Sequence, residues 1–170
     1  MRPATEVFSE WAEKGKDLGM ESGHAPAVGE ILKVAIAELD CDEFDAIDAG
    51  CGNGWLVRKL TSMEGCQSAI GVDGADAMID RAREIDSKGI YIHADLRTWK
   101  PEKSVDLIHS MEVLYYLDDI PKFLENVNLH WLNTRGIFAF GIDHYLENES
   151  CHDWSEKVGT KMAMHSELEW

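Results

Sequence analysis

No stretch of the 170 residues comes near the roughly 18 uninterrupted apolar residues that a membrane helix needs, and Met1-Arg2-Pro3-Ala4-Thr5-Glu6 leads into no apolar signal core. A soluble, cytoplasmic protein is expected. The four cysteines, Cys41, Cys51, Cys66 and Cys151, lie far apart with no CxxC pair, which suits reduced thiols better than a disulfide framework or a zinc site. Positive charge is scarce: 16 Lys and Arg face 32 Asp and Glu, a formal net charge of -16. Affinity for a phosphate backbone comes from Lys and Arg displacing counterions, so no nucleic-acid partner is expected. An acidic surface of this kind serves solubility or attracts a cationic substrate. Internal repeats and low-complexity runs are absent as well.

What is present is the balance of one ordinary domain spanning residues 1–170, with 45% hydrophobic and 28% charged content. Val28, Ile31, Leu32, Ala35 and Leu39 recur at spacings of three and four, predicting a helix over 26–39. Short apolar runs at 44–48, 68–73, 89–94, 104–109 and 136–142 read as strands. Between them, Leu56, Val57 and Leu60, then Met78, Ile79 and Ala82, then Phe123, Leu124, Val127 and Trp131 follow helical spacing, the last set after Pro121 in a first turn. Alternating strands and helices predict an α/β fold: a mainly parallel sheet with helices on both faces, binding ligands beyond the carboxyl ends of its strands. Residues 1–40 then form an N-terminal lid and helix, 44–142 the core, and 143–170 a covering segment of loop and short helices.

The segment Asp48-Ala49-Gly50-Cys51-Gly52-Asn53-Gly54-Trp55 lies between the first strand and its helix, where missing β-carbons permit a tight turn and close approach of a ligand to the backbone. A dinucleotide fingerprint has its third glycine three residues after the second; here the interval is two, and an acid precedes the first glycine by two. This pattern resembles the first motif of class I S-adenosylmethionine-dependent methyltransferases. Asp73 in Gly71-Val72-Asp73-Gly74-Ala75-Asp76-Ala77-Met78 is similar to the acid that accepts from both ribose hydroxyls in that family, and an ionised carboxylate suits a diol. His93-Ala94-Asp95-Leu96 resembles the adenine-edge segment, and Val105 to Leu117 the fourth-strand motif whose end lies under the reacting sulfonium.

The resemblance implies a three-layer Rossmann-like methyltransferase fold, from which the last two of seven strands are missing, and S-adenosylmethionine as cofactor. It implies cofactor contacts at Asp48, Gly50, Cys51, Gly52, Asn53, Trp55, Asp73, Gly74, Met78, Asp95, Leu96, Ser110 and Met111. Gly74 and Ala75 stand where the family has a bulky aliphatic residue and a Ser, which leaves the adenine wall to Met78 and Leu96. Trp11, His24, Glu112, Tyr115 and His144 are the candidates for the acceptor side, although Tyr115 and Tyr116 read equally as packing residues. His109 reads as a structural histidine ahead of a base, and no catalytic base is assigned. Asp143, His144, Cys151, His152 and Asp153 match no common metal spacing, so no metal is expected. An unpaired fifth strand predicts a homodimer. The expected activity is methyl transfer to a small-molecule oxygen, nitrogen or carbon. The alternatives are a non-catalytic cofactor-binding scaffold and a nicotinamide-dependent oxidoreductase.

Overall fold

Strand β1 (Phe44–Ala49) buries every residue but Asp45, because it runs through the centre of a sheet covered on both faces. The computed structural model describes residues 1–170 throughout. β2 (Cys66–Asp73) and β4 (Val105–Met111) flank β1; β3 (Ile90–His93) and β5 (Leu132–Gly141) form the margins. The order is β3-β2-β1-β4-β5 and every pairing is parallel. Strand order therefore reverses between β1 and β4, opening a crevice at their carboxyl ends.

Six α-helices surround the sheet: α1 (Ala4–Glu13), α2 (Met20–Ala37), α3 (Trp55–Thr61), α4 (Asp76–Ile85), α5 (Ile120–Asn126) and α6 (Trp154–Val158). On one face Leu32, Leu56, Leu60 and Ile79 pack against Phe44, Ala46, Ala69 and Leu107. On the other, Phe123, Val127 and Trp131 cover Ile47, Ala49, Val72 and Ile108. Each such aliphatic side chain contributes about 1.5–3 kcal/mol by burial. No helix is long and apolar enough to cross a membrane.

Three boundaries differ from the expected ones by more than two residues. α2 begins at Met20 rather than 26 and runs through Pro26, which lacks the N–H that would bond the Ser22 carbonyl; the buried stripe of Val28, Leu32 and Ala35 holds the helix together across that gap. The stripe over 120–131 is not one helix: α5 starts on an Asp119 cap, whose side chain accepts from Lys122 N at 3.1 Å, and ends at Asn126, where a wider π turn through Trp131 takes over. β5 begins four residues early and carries Arg135 at φ 70°, where its register with β4 shifts between Val105 and Leu107.

The two ends of the chain meet over the crevice. Arg2 N donates to Gly159 O at 3.1 Å, Arg2 and Thr160 form a parallel bridge, and Ser9 Oγ donates to Asp76 at 2.6 Å. Beneath α1, the buried Asp17 carboxylate accepts from Asn53 Nδ2 at 3.0 Å, tying the N-terminal segment to the glycine turn.

Candidate active site

β1 leads into a turn whose glycines are all left-handed: φ is 82° at Gly50, 52° at Gly52 and 76° at Gly54. A side chain at Gly50 would overlap Val113, so the bare backbone is required both by conformation and by packing. Gly50 N and Cys51 N donate to Val72 O at 2.7 and 3.2 Å, fixing the turn against β2. At the end of β2, Asp73 accepts from Gly52 N at 2.9 Å and from Ala75 N at 2.8 Å, one donor per oxygen. A carboxylate has about four lone-pair sites, so both oxygens keep capacity for a diol. Burial raises the Asp73 pKa and the two backbone N–H groups oppose that shift.

A cavity of about 890 Å³ opens from this turn, a size at the upper end of ordinary ligand pockets. Gly50, Gly52, Asp73, Gly74, Met78 and Leu96 line one end, with Asp95 at the edge. Asp95 is gripped by Arg97, Nη2 to Oδ2 at 2.7 Å and Nε to Oδ1 at 2.9 Å, which lowers its pKa.

The other end is built from side chains. Met111 comes from the end of β4, Glu112 and Tyr115 from the short turn that follows it, Trp11 from α1 and His24 from α2. Glu112 is at φ 58°, an uncommon conformation for a residue with a side chain and one that concentrates at functional sites. Its Oε2 accepts from Tyr115 Oη at 2.7 Å and its Oε1 from Asp143 N at 2.6 Å. Burial, with the Asp143 charge adding to it, pushes the Glu112 carboxyl up to about 7 against these donors. The Tyr115 hydroxyl is held far above its ordinary range and Tyr116 is raised to about 12, both chiefly by burial. Burial lowers the His24 pKa.

Twelve of the eighteen expected residues thus share one cavity: Trp11, His24, Gly50, Gly52, Asp73, Gly74, Met78, Asp95, Leu96, Met111, Glu112 and Tyr115. The side chains of the other six turn elsewhere. Asp48 is buried against His109, Oδ1 to Nδ1 at 3.2 Å, because the two are register partners on β1 and β4 and their side chains share a sheet face. Cys51 packs beside Gly71, where burial pushes its thiol well up, and Trp55 joins the core of α2 and α3. Asn53 holds Asp17, and Ser110 Oγ donates to Ala49 O at 2.8 Å. His144 is buried between Tyr115 and Trp154, its ring stacked on the indole at 18°. No three His, Cys, Asp or Glu side chains converge in the manner of a metal site.

Sequence reasoning placed Phe8 in the N-terminal lid without a site role and passed over Arg97, Lys157 and Thr160, which also line the cavity, and Asp17, which braces its floor. Asp143 entered only as a metal candidate. Its place just after β5 was the available signal, since sites gather at strand carboxyl ends. Phe8 and residues 157–161 lie in segments with no motif.

A sequence model described as a methyltransferase domain matches residues 4–161. Trans-aconitate 2-methyltransferase of Escherichia coli O157:H7 is 30% identical over 123 residues, 72% of this chain and 47% of that protein. The chain spans about half the length of the curated relatives it matches. A methyltransferase solved in complex with the Haloferax volcanii Trm112 methyltransferase activator superposes with a TM-score of 0.81 at 31% identity, covering 95% of this chain and 71% of that one. An S-adenosylmethionine dependent methyltransferase from Mesorhizobium loti is 30% identical with a TM-score of 0.59, covering 71% and 54%. The α/β sheet and its glycine turn define a cofactor-binding Rossmann-like domain. The chain belongs to the class I S-adenosylmethionine-dependent methyltransferases.

Proposed function

We propose that this chain binds S-adenosylmethionine along the glycine turn and transfers its methyl group to a small-molecule acceptor. The observation that carries the reading is the single cavity running from Gly50, Gly52 and Asp73 to Met111, Glu112 and Tyr115. In this reading Asp73 takes the ribose diol, Met78 and Leu96 flank the adenine, and Gly50, Gly52 and Met111 border the methionine portion. Asp48, Cys51, Asn53, Trp55 and Ser110 hold that wall in place from behind. Residues 44–142 supply the cofactor core, 1–40 the lid, and 143–170 the cover on the acceptor end.

The cofactor supplies a methyl group already activated by the sulfonium, so the chain's own task is to align the acceptor and exclude water. The link that Arg2, just before α1, makes to Gly159 and Thr160 across the cavity rim supports that task. The relative solved with a Trm112 activator supports a protein partner for this chain, ahead of the homodimer expected from the open sheet margin. Light scattering of the purified chain separates the two, a stable dimer favouring the second.

Calorimetry with S-adenosylhomocysteine, the demethylated cofactor, tests the function. Micromolar-range binding that is lost in Asp73→Ala is the expected result, and no binding to the intact chain contradicts it.

A further inference from the structure

The acceptor end of the cavity has an uneven charge inventory. Four basic side chains reach its wall, and each is matched by an acid: Arg2 by Glu10 at 2.7 Å, Arg97 by Asp95 at 2.7 Å, Lys157 by Asp153 at 2.7 Å, and Lys161 by Asp118 at 4.0 Å. His24 is held toward its neutral form by burial. Glu112 and Asp143 also face the cavity, and neither forms an ion pair. The uncompensated charge at this end is therefore negative. The cations of this wall already face carboxylates, whereas Glu112 and Asp143 have no cationic partner.

We propose that the methyl acceptor is an amine, recognised as its ammonium form by Glu112 and Asp143, with Glu112 receiving the proton that frees the nitrogen lone pair. This assignment deepens the methyl-transfer reading and rests on it. Each Glu112 oxygen accepts one internal hydrogen bond, from Tyr115 or from Asp143 N, and retains a lone pair for a donor in the cavity. An ammonium offers only donors. Phe8, Trp11 and Tyr116 form an edge-to-face cluster on the same wall, Phe8 lying 5.2 Å from Trp11 and 5.3 Å from Tyr116 between ring centroids, and aromatic faces attract cations. The left-handed backbone at Glu112 is the feature that sets this carboxylate at the end of β4, beside the glycine turn.

An ammonium has no lone pair and cannot be methylated until it loses a proton. Once that proton has passed to Glu112, the nitrogen–carbon bond forms as the sulfonium–carbon bond breaks, and the positive charge moves from sulfur to nitrogen. A base serves best with a pKa near the working pH, and the carboxyl of Glu112 is raised to about 7 by burial. The chain's net charge of -16 adds long-range attraction for a cation.

The test uses three matched probes, 2-phenylethylamine, 2-phenylethanol and 3-phenylpropionate, titrated calorimetrically into the full chain saturated with S-adenosylhomocysteine. The amine is expected to bind at least about tenfold more tightly than either analogue, the difference made by one charge-assisted hydrogen bond. Its affinity rises from pH 6 to pH 8 as Glu112 ionises. Of the groups facing Glu112, Tyr115 and Tyr116 stay neutral there because burial raises both, His24 is depressed, and Asp143 supplies the second acid. Glu112→Gln loses about tenfold in amine affinity together with the pH dependence, with S-adenosylhomocysteine affinity unchanged as the check on folding. Asp143→Asn, which keeps the N–H to Glu112, gives a smaller loss.

Equal or tighter binding of the alcohol or the acid, no binding of the amine, or an unaltered pH profile in Glu112→Gln overturns the amine assignment while leaving the methyl-transfer reading in place. Failure of S-adenosylhomocysteine to bind the wild-type chain overturns both.

Discussion

At the cofactor end of the cavity the wall is built on main chain: two left-handed glycines, Gly50 and Gly52, in a turn fixed by two N–H groups on Val72 O and two more on Asp73. At the acceptor end it is side chain, gathered from α1, α2, the end of β4, the start of the 143–170 segment and the turn around Thr160. The first is local in sequence and braced by the sheet. The second joins residues more than a hundred positions apart, and its key carboxylate depends on one tyrosine and one backbone N–H. A backbone-built wall is suited to a constant ligand, whereas a side-chain wall can change its occupant by substitution without disturbing the fold.

Changes at the two ends therefore have separable consequences. Gly50→Val has the largest expected effect: a left-handed β-branched residue costs about 1–2 kcal/mol in backbone strain alone. Its side chain also meets Val113. S-adenosylhomocysteine affinity falls more than about a hundredfold by calorimetry, equivalent to roughly 3 kcal/mol. Asn53→Ala comes next, because it leaves the buried Asp17 carboxylate without its amide donor, a loss of about 1–3 kcal/mol in stability by chemical denaturation. Retained stability in this variant would remove the brace from the account.

Glu112→Gln acts on stability with a sign that depends on pH. The folded state holds the Glu112 proton up to about 7, above the ordinary 4.5 of a glutamate, so ionisation opposes folding increasingly as pH rises between those values. The variant is expected to melt higher than wild type at pH 8 and to match it near pH 4. Tyr115→Phe is the mildest change. Removing the Tyr115 hydroxyl takes away a donor that lowers the Glu112 pKa, so the pH midpoint of amine binding moves upward while S-adenosylhomocysteine affinity stays fixed.

The same contrast explains what was legible in the sequence. Strand and helix order, the parallel sheet and the turn at Gly50 to Gly54 follow from short-range patterns, because buried central strands are rich in apolar residues and left-handed turns select glycine. Asp73 and Leu96 follow from their places at strand ends. The motif did not reveal which side chains of the glycine segment face the cavity: Asn53 looked like a ligand contact, yet its partner Asp17 lies 36 positions earlier in a segment with no recognisable pattern. Asp48 likewise spends its carboxylate on His109. At the acceptor end, Glu112, Tyr115 and His24 were named from position along the chain, while Phe8 and the residues around Thr160 needed the three-dimensional closure through Arg2. The start of α2 was hidden by Pro26, which reads locally as a boundary but sits inside a helix held by its packed face.

The most direct test is a parallel titration of S-adenosylhomocysteine into wild type, Asp73→Ala and Glu112→Gln. Micromolar-range binding is expected for wild type and, with matching affinity, for Glu112→Gln, with a loss of about a hundredfold in Asp73→Ala, the size of two charge-assisted hydrogen bonds. Equal binding by Asp73→Ala, or a comparable loss in Glu112→Gln, would contradict a cavity divided into a cofactor end and an acceptor end.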